Sequence, residues 1–396
     1  MSGDRPSIPS GAATTARQAR RLMPDLFQGL ALALLSLPVA GAQAAEISEA
    51  DVEVERVAGN LDHPWGLAFL PDGAMLVTER SGQLRLIENG NVSSPLAGVP
   101  KVYARGQGGL LDVALHPKFA ENQRVYLSFS EPGGGGAGTA VGYGRLVRSN
   151  GEPSLQDFKV IFRQSPKVTT GHHFGSRLVF APDGLLFVTL GERGQGMPAQ
   201  DLDNHLGKVV RITDEGGIPA DNPCASAENG ALPAIWTYGH RNPQGAAIDP
   251  ATGELWIVEH GARGGDEINR TEAGANYGWP EVSYGRHYSG AKIGVGTSAP
   301  GIEQPVHYWD PSIAPSGMTF YDGDQFAAWQ GDILVGALKY QMLVRLDVED
   351  GRIVGEDRLF EGRFGRIRDV RTGPNGAVYL LTDNNPGELI RLTASD

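Results

Sequence analysis

The sequence predicts an all-β fold, a six-bladed β-propeller, and three observations lead there. A hairpin phrase recurs six times along the chain, glycine supplies 55 of 396 residues, and no stretch has an amphipathic helical period of useful length. Frequent glycines imply frequent tight turns, hence many short strands. At 396 residues the chain also exceeds the size at which one hydrophobic core usually keeps growing. A ring of small sheets escapes that limit, because each pair of neighbouring sheets encloses its own apolar layer.

The repeated phrase is a small or polar residue, alternating apolar residues, a tight turn, then a β-rich run. Gly66-Leu67-Ala68-Phe69 turns at Pro71-Asp72-Gly73 into Met75-Leu76-Val77-Thr78. Leu111-Asp112-Val113-Ala114 leads past His116-Pro117 into Val125-Tyr126-Leu127-Ser128-Phe129. Arg177-Leu178-Val179-Phe180 turns at Pro182-Asp183-Gly184 into Leu186-Phe187-Val188-Thr189. Gln244 to Pro250, with Gly253, leads into Leu255-Trp256-Ile257-Val258. Ser316-Gly317-Met318-Thr319-Phe320 leads, after an insertion, into Ile333-Leu334-Val335-Gly336. Arg368-Asp369-Val370-Arg371 turns at Asn375-Gly376 into Val378-Tyr379-Leu380-Leu381. Ring closure should pair 52–57 with 389–392. Residues 131–144, rich in glycine, and 283–300, without periodicity, read as loops.

The N-terminus reads as a targeting segment. Arg17, Arg20 and Arg21 precede an apolar stretch, 27–40, that is short for a bilayer span, and Ala42-Gln43-Ala44 has the small residues of a cleavage site. The expected division is a signal peptide, 1–44, and a single propeller domain, 45–396, in a periplasmic or secreted protein with no stable membrane insertion after cleavage. The formal charge of −12 argues against a nucleic-acid partner. A lone cysteine, Cys224, allows no internal disulfide.

Chemistry concentrates at 238–279. Gly239-His240-Arg241-Asn242-Pro243-Gln244, Glu259-His260-Gly261-Ala262, Gly265-Asp266-Glu267 and Asn276-Tyr277-Gly278-Trp279 crowd polar groups and glycines around one apolar strand. Bare carbonyls with carboxylates suit calcium. In a propeller, loops at one end of the inner strands converge on a central funnel. That position, read around the ring, gives Gln107, His173, Arg241 with Asn242, Lys339, and Arg366 with Arg368. Cations gathered in one funnel of an acidic chain suit a ligand with several carboxylates.

Several motifs in order carry a family resemblance: Leu61-Asp62-His63-Pro64-Trp65, Gly106-Gln107-Gly108-Gly109-Leu110-Leu111-Asp112, His173-Phe174-Gly175-Ser176-Arg177, Gly239-His240-Arg241-Asn242-Pro243, Gly265-Asp266-Glu267-Ile268-Asn269 and Asn276-Tyr277-Gly278-Trp279-Pro280. From about 52 to 392 the chain resembles the soluble periplasmic PQQ-dependent sugar dehydrogenases, in particular their aldose sugar dehydrogenase branch. The resemblance implies PQQ and Ca2+ as cofactors, oxidation of an aldose sugar at C1 to its lactone, and an external electron acceptor. It further implies His173 as catalytic base. Gln107, Arg241, Asn242, Lys339, Arg366 and Arg368, with Ala337, Leu338 and Ile367 beside them, would contact PQQ. Carbonyls of Gly261 and Ala262 would hold the calcium that activates PQQ, Glu267 and Tyr277 a second, structural calcium. Trp309 matches an aromatic near the substrate. Two positions depart from the family pattern: His172 stands where Asp or Asn is frequent, and Ala262 where Pro is frequent.

Plainer roles exist for the same residues. Arg366 and Arg368, on alternate strand positions, would also make a surface ion pair, and Asp266 and Glu267 are types common on loop surfaces. A calcium-dependent propeller lactonase would need a carboxylate-rich funnel, and a non-catalytic binding propeller would need no base. The funnel cations weigh against the first and His173 with Gln107 against the second. No zinc-site spacing and no glycine-rich nucleotide fingerprint occur.

Overall fold

The computed structural model describes residues 48–148 and 152–395. The expected signal segment, 1–44, therefore lies outside the described residues. Six antiparallel four-stranded sheets form the blades of a propeller. Blade 1 contains Pro64–Phe69, Met75–Glu79, Gln83–Glu88 and Asn91–Val92. Blade 2 contains Leu110–Leu115, Arg124–Gly133, Gly136–Val147 and Ser154–Arg163. Blade 3 contains Leu178–Phe180, Leu186–Leu190, Lys208–Ile212 and Ile235–Tyr238. Blade 4 contains Pro243–Ile248, Leu255–Glu259, Asp266–Arg270 and His307–Trp309. Blade 5 contains Pro315–Phe320, Ile333–Ala337, Met342–Glu349 and Arg352–Leu359. Blade 6 takes Ile367–Thr372, Val378–Thr382 and Gly387–Ala394 from one end of the ring and its outer strand, Val52–Leu61, from the other. That seam pairs Val52 with Ala394 and Arg56 with Ile390, near the expected register.

The six hairpins read from the sequence are the inner two strands of the six blades, and each innermost strand touches its neighbours around the axis. The core is divided accordingly. One apolar cluster fills each blade interface: Leu76, Leu84, Phe129 and Leu155 between blades 1 and 2, Tyr126, Phe162, Val188 and Ile212 between 2 and 3, Phe187 and Ile257 between 3 and 4. Trp256, Ile313 and Val344 fill the next, then Trp329, Phe360 and Leu380, and finally Leu67, Met75 and Leu389 join blade 6 to blade 1. Complete burial of a large apolar side chain contributes about 1.5–3 kcal/mol, so each interface supports the ring separately.

Two sequence expectations need correction. Residues 131–144 are not a loop: Arg124–Gly133 and Gly136–Val147 pair along their length, with Gly133 opposite Gly136 across a Gly134-Gly135 turn. The glycines there serve close packing. A Cβ on Gly142 would sit 2.8 Å from the Phe158 ring. Glu267 is likewise on a strand, opposite Glu259, rather than in a loop. Residues 283–300 contain no strand, as expected, although short bridges tie Arg263 to Arg286, Arg286 to Lys292 and Val282 to Gly296.

A buried ion quartet closes the axis. Arg177 donates to Asp112 Oδ1 at 3.0 Å and meets Asp369 Oδ1 at 2.9 Å, and Arg371 bonds to both carboxylates at 3.0 Å. Backbone N–H groups of Leu178 and Leu67 complete the carboxylates' shells, and Arg177 Nε donates to Gln244 O. The quartet thus ties the inner strands of blades 1, 2, 3, 4 and 6. Gly317 leaves it room, since a Cβ there would lie 2.2 Å from Asp369 Oδ1. On one side of the plug lies a hollow of about 470 Å³ lined by Phe69, Phe180, Ile248 and Phe320 together with Thr319, Asp322 and Arg371. The polar residues of interest lie around the other mouth. Among the described residues no helix is long and apolar enough to cross a membrane, and Cys224 is buried and unpaired.

Candidate active site

His173 sits on the segment entering blade 3, with φ +54°. That left-handed conformation is unusual for a non-glycine residue, and its surroundings hold it. Gln107 Oε1 accepts from His173 N at 2.7 Å. Gly191 lies so close that a Cβ on it would meet His173 O at 1.8 Å. Arg193, fully buried over the Phe174 ring, donates to the carbonyls of His172 (2.7 Å), Ala137 (2.7 Å) and Thr170 (2.5 Å). His172 is exposed, its ring 6.0 Å from that of His173.

The imidazole of His173 is bonded through Nδ1 to Glu192 Oε1, and Glu192 Oε2 accepts from Gly196 N at 2.5 Å. Burial is the largest influence on His173 and pulls its pKa below the ordinary histidine value, with the Glu192 bond opposing and the Arg241 charge reinforcing. Burial alone would raise Glu192, but the bonds from His173 and Gly196 and the Arg241 charge hold it below the usual carboxylate value. The pair is therefore a neutral imidazole beside a carboxylate, which leaves Nε2 as the proton acceptor.

Arg241 follows in the loop between blades 3 and 4. Its backbone N–H donates to Glu259 Oε2 at 2.7 Å, its side chain reaches His260 O at 3.3 Å and lies 5.3 Å from the Trp279 ring. Asn242 is buried and its Oδ1 accepts from Gly175 N at 3.1 Å, so it supports the His173 segment. Arg368 Nη2 (2.8 Å) and Arg366 (3.2 Å) share Asp383, and Arg368 Nη1 also bonds to Gln244 Oε1 at 2.7 Å. Burial opposes, but the charges of Arg368, Arg80 and Arg366 hold Asp383 below the ordinary carboxylate value. Lys339 is exposed, follows the strand Ile333–Ala337, and has no carboxylate partner among the described residues. Ala337, Leu338 and Ile367 are buried. Leu338 O accepts from Arg366 Nη1 at 3.3 Å, and Ile367 O from Ser316 Oγ at 2.7 Å.

A cleft of about 870 Å³ opens beside these groups, lined by His260, Gly261, Ala262, Arg263, Arg286, Tyr288, Asp310 and Lys339 among others. His260 Nε2 and Arg368 Nε are buried without hydrogen-bond partners. Burial and then the charges of Arg241 and Arg368 pull His260 to about 3, so it is neutral. Of these two residues His260 lines the cleft, and an unpaired polar atom there, beside Arg263, Arg286 and Lys339, fits a polyanionic ligand.

Gly261 also lines a second void, with room of about 10 Å³, enclosed by Glu259, Glu267, Gly265, Tyr277 and Ser283. That is space for one water-sized sphere. Burial, then the charges of Glu259 and Asp266, push the Glu267 carboxyl well above the usual range. Two facing carboxylates with no cation between them resist joint ionisation, so this void fits one hard cation. Tyr277 can offer only its backbone, because its hydroxyl donates to Arg270 O at 2.6 Å. Among the described residues no cluster of three or more His, Cys, Asp or Glu side chains is arranged as a metal site, so carbonyl oxygens must supply part of any shell. Asp266 sets the neighbouring loops, accepting from Gly261 N (2.8 Å), Ser312 Oγ (2.6 Å) and Ala314 N (2.9 Å).

Contacts link Gln107 to His173, Arg241 to the His260 carbonyl, and Arg366 to Arg368 through Asp383, while Lys339 lines the cleft with His260. Trp309 is placed apart: its indole is buried in the core between blades 4 and 5 and donates to Glu356 at 3.0 Å, while the neighbouring Asp310 lines the cleft. Glu192, Glu259 and Asp383 were not singled out by sequence reasoning. Each ends or follows the second strand of its blade, as Glu79 and Lys339 do in theirs. The residue after each β-rich run was the signal available.

The profile of the family described as Glucose / Sorbosone dehydrogenase matches residues 61–391. The chain is 52% identical over 349 residues to the aldose sugar dehydrogenase YliI of Escherichia coli, covering 87% of this chain and 93% of that protein. It is 27% identical over 459 residues to quinoprotein glucose dehydrogenase B of Acinetobacter calcoaceticus, covering 91% and 95%. The apo crystal structure of the soluble E. coli aldose sugar dehydrogenase superposes with a TM-score of 0.84 at 52% identity, covering 87% of this chain and 100% of that one. The PQQ-bound aldose sugar dehydrogenase of Streptomyces coelicolor superposes with 0.71 at 27% identity, covering 88% and 100%.

Proposed function

The chain belongs to the glucose/sorbosone dehydrogenase family of oxidoreductases, and from that premise we propose that it oxidises aldoses at C1 to the lactone with PQQ and calcium as cofactors. The observation that carries this reading is the neutral His173, bonded to Glu192, at a mouth it shares with Arg241, Lys339, Arg366 and Arg368. Relatives described as a quinoprotein and as a PQQ-bound enzyme support the same cofactor.

In this mechanism the sugar enters the cleft and its C1 hydroxyl donates a proton to His173 Nε2. Glu192 holds the Nδ1–H, fixing the tautomer and stabilising the imidazolium that forms. Gln107 and Arg193 keep the His173 backbone in its left-handed turn, so the base does not reorganise during the step. Lys339, Arg366, Arg368 and Arg241 would hold the carboxylates of PQQ, with the backbones of Ala337, Leu338 and Ile367 placing the two charged loops. Carbonyls of Gly261 and Ala262 would hold one calcium, and Glu267 with the Tyr277 backbone a second. When bound, PQQ would supply an electron-poor quinone as hydride acceptor, with calcium as the Lewis acid beside it. The reading includes export, with cleavage after Ala44.

The test is dye reduction with glucose by purified protein, with and without added PQQ and calcium. Reduction that needs both and is lost in His173→Ala is expected. A PQQ- and calcium-loaded protein that reduces no dye with any aldose overturns the proposal.

A further inference from the structure

The wall of the cleft carries two arginines that the proposed cofactor contacts leave over. Arg263 and Arg286 are exposed, line the cleft beside Lys339, and face each other across an antiparallel bridge with both backbone hydrogen bonds made, at 2.9 and 3.0 Å. Directly opposed residues of such a pair project to the same side, with Cβ atoms about 4.5–5.5 Å apart, and like charges there are unfavourable. Lys292 is bridged to Arg286 in turn, so the basic row continues. The backbones are held tightly: a Cβ on Gly285 would lie 2.1 Å from Gly264 O.

Neither arginine has a carboxylate partner among the described residues. That is notable in a chain with 46 Asp and Glu against 34 Lys and Arg. Several other surface arginines find acids, Arg148 with Asp72 and Glu88, Arg163 with Glu131, Arg358 with Glu356 and Arg391 with Glu55. Arg105, Arg352 and Arg363 are exposed without an ion pair among the described residues, but none of them lines the cleft. The carboxylate that lines the same cleft, Asp310, lies against Gly264 and pairs with neither. A rigid, unpaired, like-charged pair at a cleft is a site for an anion presented by the cleft's occupant.

We infer that Arg263 and Arg286 form an anion subsite at the cleft mouth, and that the favoured substrates are aldoses bearing a carboxylate or phosphate away from C1. The inference rests on the aldose dehydrogenase reading. The pair is solvent-facing, so its effect is moderate and salt-sensitive.

The experiment uses the full chain loaded with PQQ and calcium and an uncharged dye. KM and kcat are measured for glucuronate and glucose 6-phosphate against glucose, and for galacturonate against galactose. At low salt the acidic sugars should have KM values lower by roughly three- to tenfold, the range two exposed ion pairs support. That advantage should vanish in Arg263→Gln/Arg286→Gln and at about 0.5 M salt, where screening is nearly complete. Turnover of the neutral sugars should not change. Equal KM values for acidic and neutral sugars overturn the inference. So does a variant that raises both alike, or one that weakens PQQ binding in a titration of apo-protein, which would give the pair to the cofactor. A variant whose only change is a higher KM for ferricyanide would give it to an anionic electron acceptor and also overturn it. If the loaded wild type oxidises neutral and acidic sugars equally poorly, the dehydrogenase reading has failed, and the inference falls with it.

Discussion

Nδ1 of His173 is bonded to Oε1 of Glu192, and this bond decides which imidazole nitrogen remains to take a proton. Glu192→Gln offers Nδ1 an amide that can also donate, so the tautomer is no longer fixed. Turnover should fall by about 10²–10⁴-fold, the usual worth of a positioned general base. The pH profile supplies a second readout. Burial lowers His173 and the Glu192 bond opposes that shift. The wild-type acid limb should therefore lie below the ordinary histidine value, and removal of the carboxylate charge should move it lower still. A limb that stays put or rises in Glu192→Gln would exclude the pairing as the determinant.

Asp383 serves both Arg366 and Arg368. Arg366→Ala should weaken PQQ roughly 10- to 100-fold in a titration of apo-protein, the worth of a charged hydrogen bond. Asp383→Asn should lower the apo-protein's melting temperature, because buried Arg368 loses its counter-charge. In that variant PQQ should raise the melting temperature more than it does in wild type. An unchanged PQQ affinity in Arg366→Ala would place the cofactor elsewhere.

Glu259 and Glu267 face one small void. Without calcium, Glu267→Gln should melt no lower than wild type, since it removes the carboxyl that burial and Glu259 push up. With calcium, wild type should gain stability by mass action and the variant should gain little. A calcium-induced rise of equal size in both would remove Glu267 from the ligand set.

Arg177 is fully buried between two carboxylates. Arg177→Leu leaves Asp112 and Asp369 short of a counter-charge and should cost about 3–5 kcal/mol. Urea unfolding should show it as a lower midpoint with the slope retained. A loss under 1 kcal/mol would mean that Arg371 alone neutralises the pair.

The ring was legible because its inner hairpins carry their own signals, apolar alternation and turns such as Asp72-Gly73, Asp183-Gly184 and Asn375-Gly376. Outer strands were harder: Asn91–Val92 is two residues long, and the strand from Gly136 to Val147 is glycine-rich because Phe158 and Lys167 pack where side chains would be. At the mouth, His173 and the arginines were legible through motif and charge. Their carboxylate partners were not, because Glu192 and Asp383 lie 19 and 15 residues beyond His173 and Arg368 and meet them only when each blade's second strand returns to the axis. Trp309 shows the converse, a motif match whose indole turns into the core.

The seam of blade 6 has a consequence for how the molecule is made. Its outer strand, Val52–Leu61, belongs to the first part of the ring to leave the ribosome, and its partner, Gly387–Ala394, to the last. Blades can stack pairwise as they emerge, but until the final strand arrives the nascent chain is an open arc with two raw sheet edges. Arrival of the last strand, rather than folding of any one blade, therefore sets the earliest moment at which the circle locks. Until then, the first strand waits unpaired for a partner more than 300 residues away along the chain.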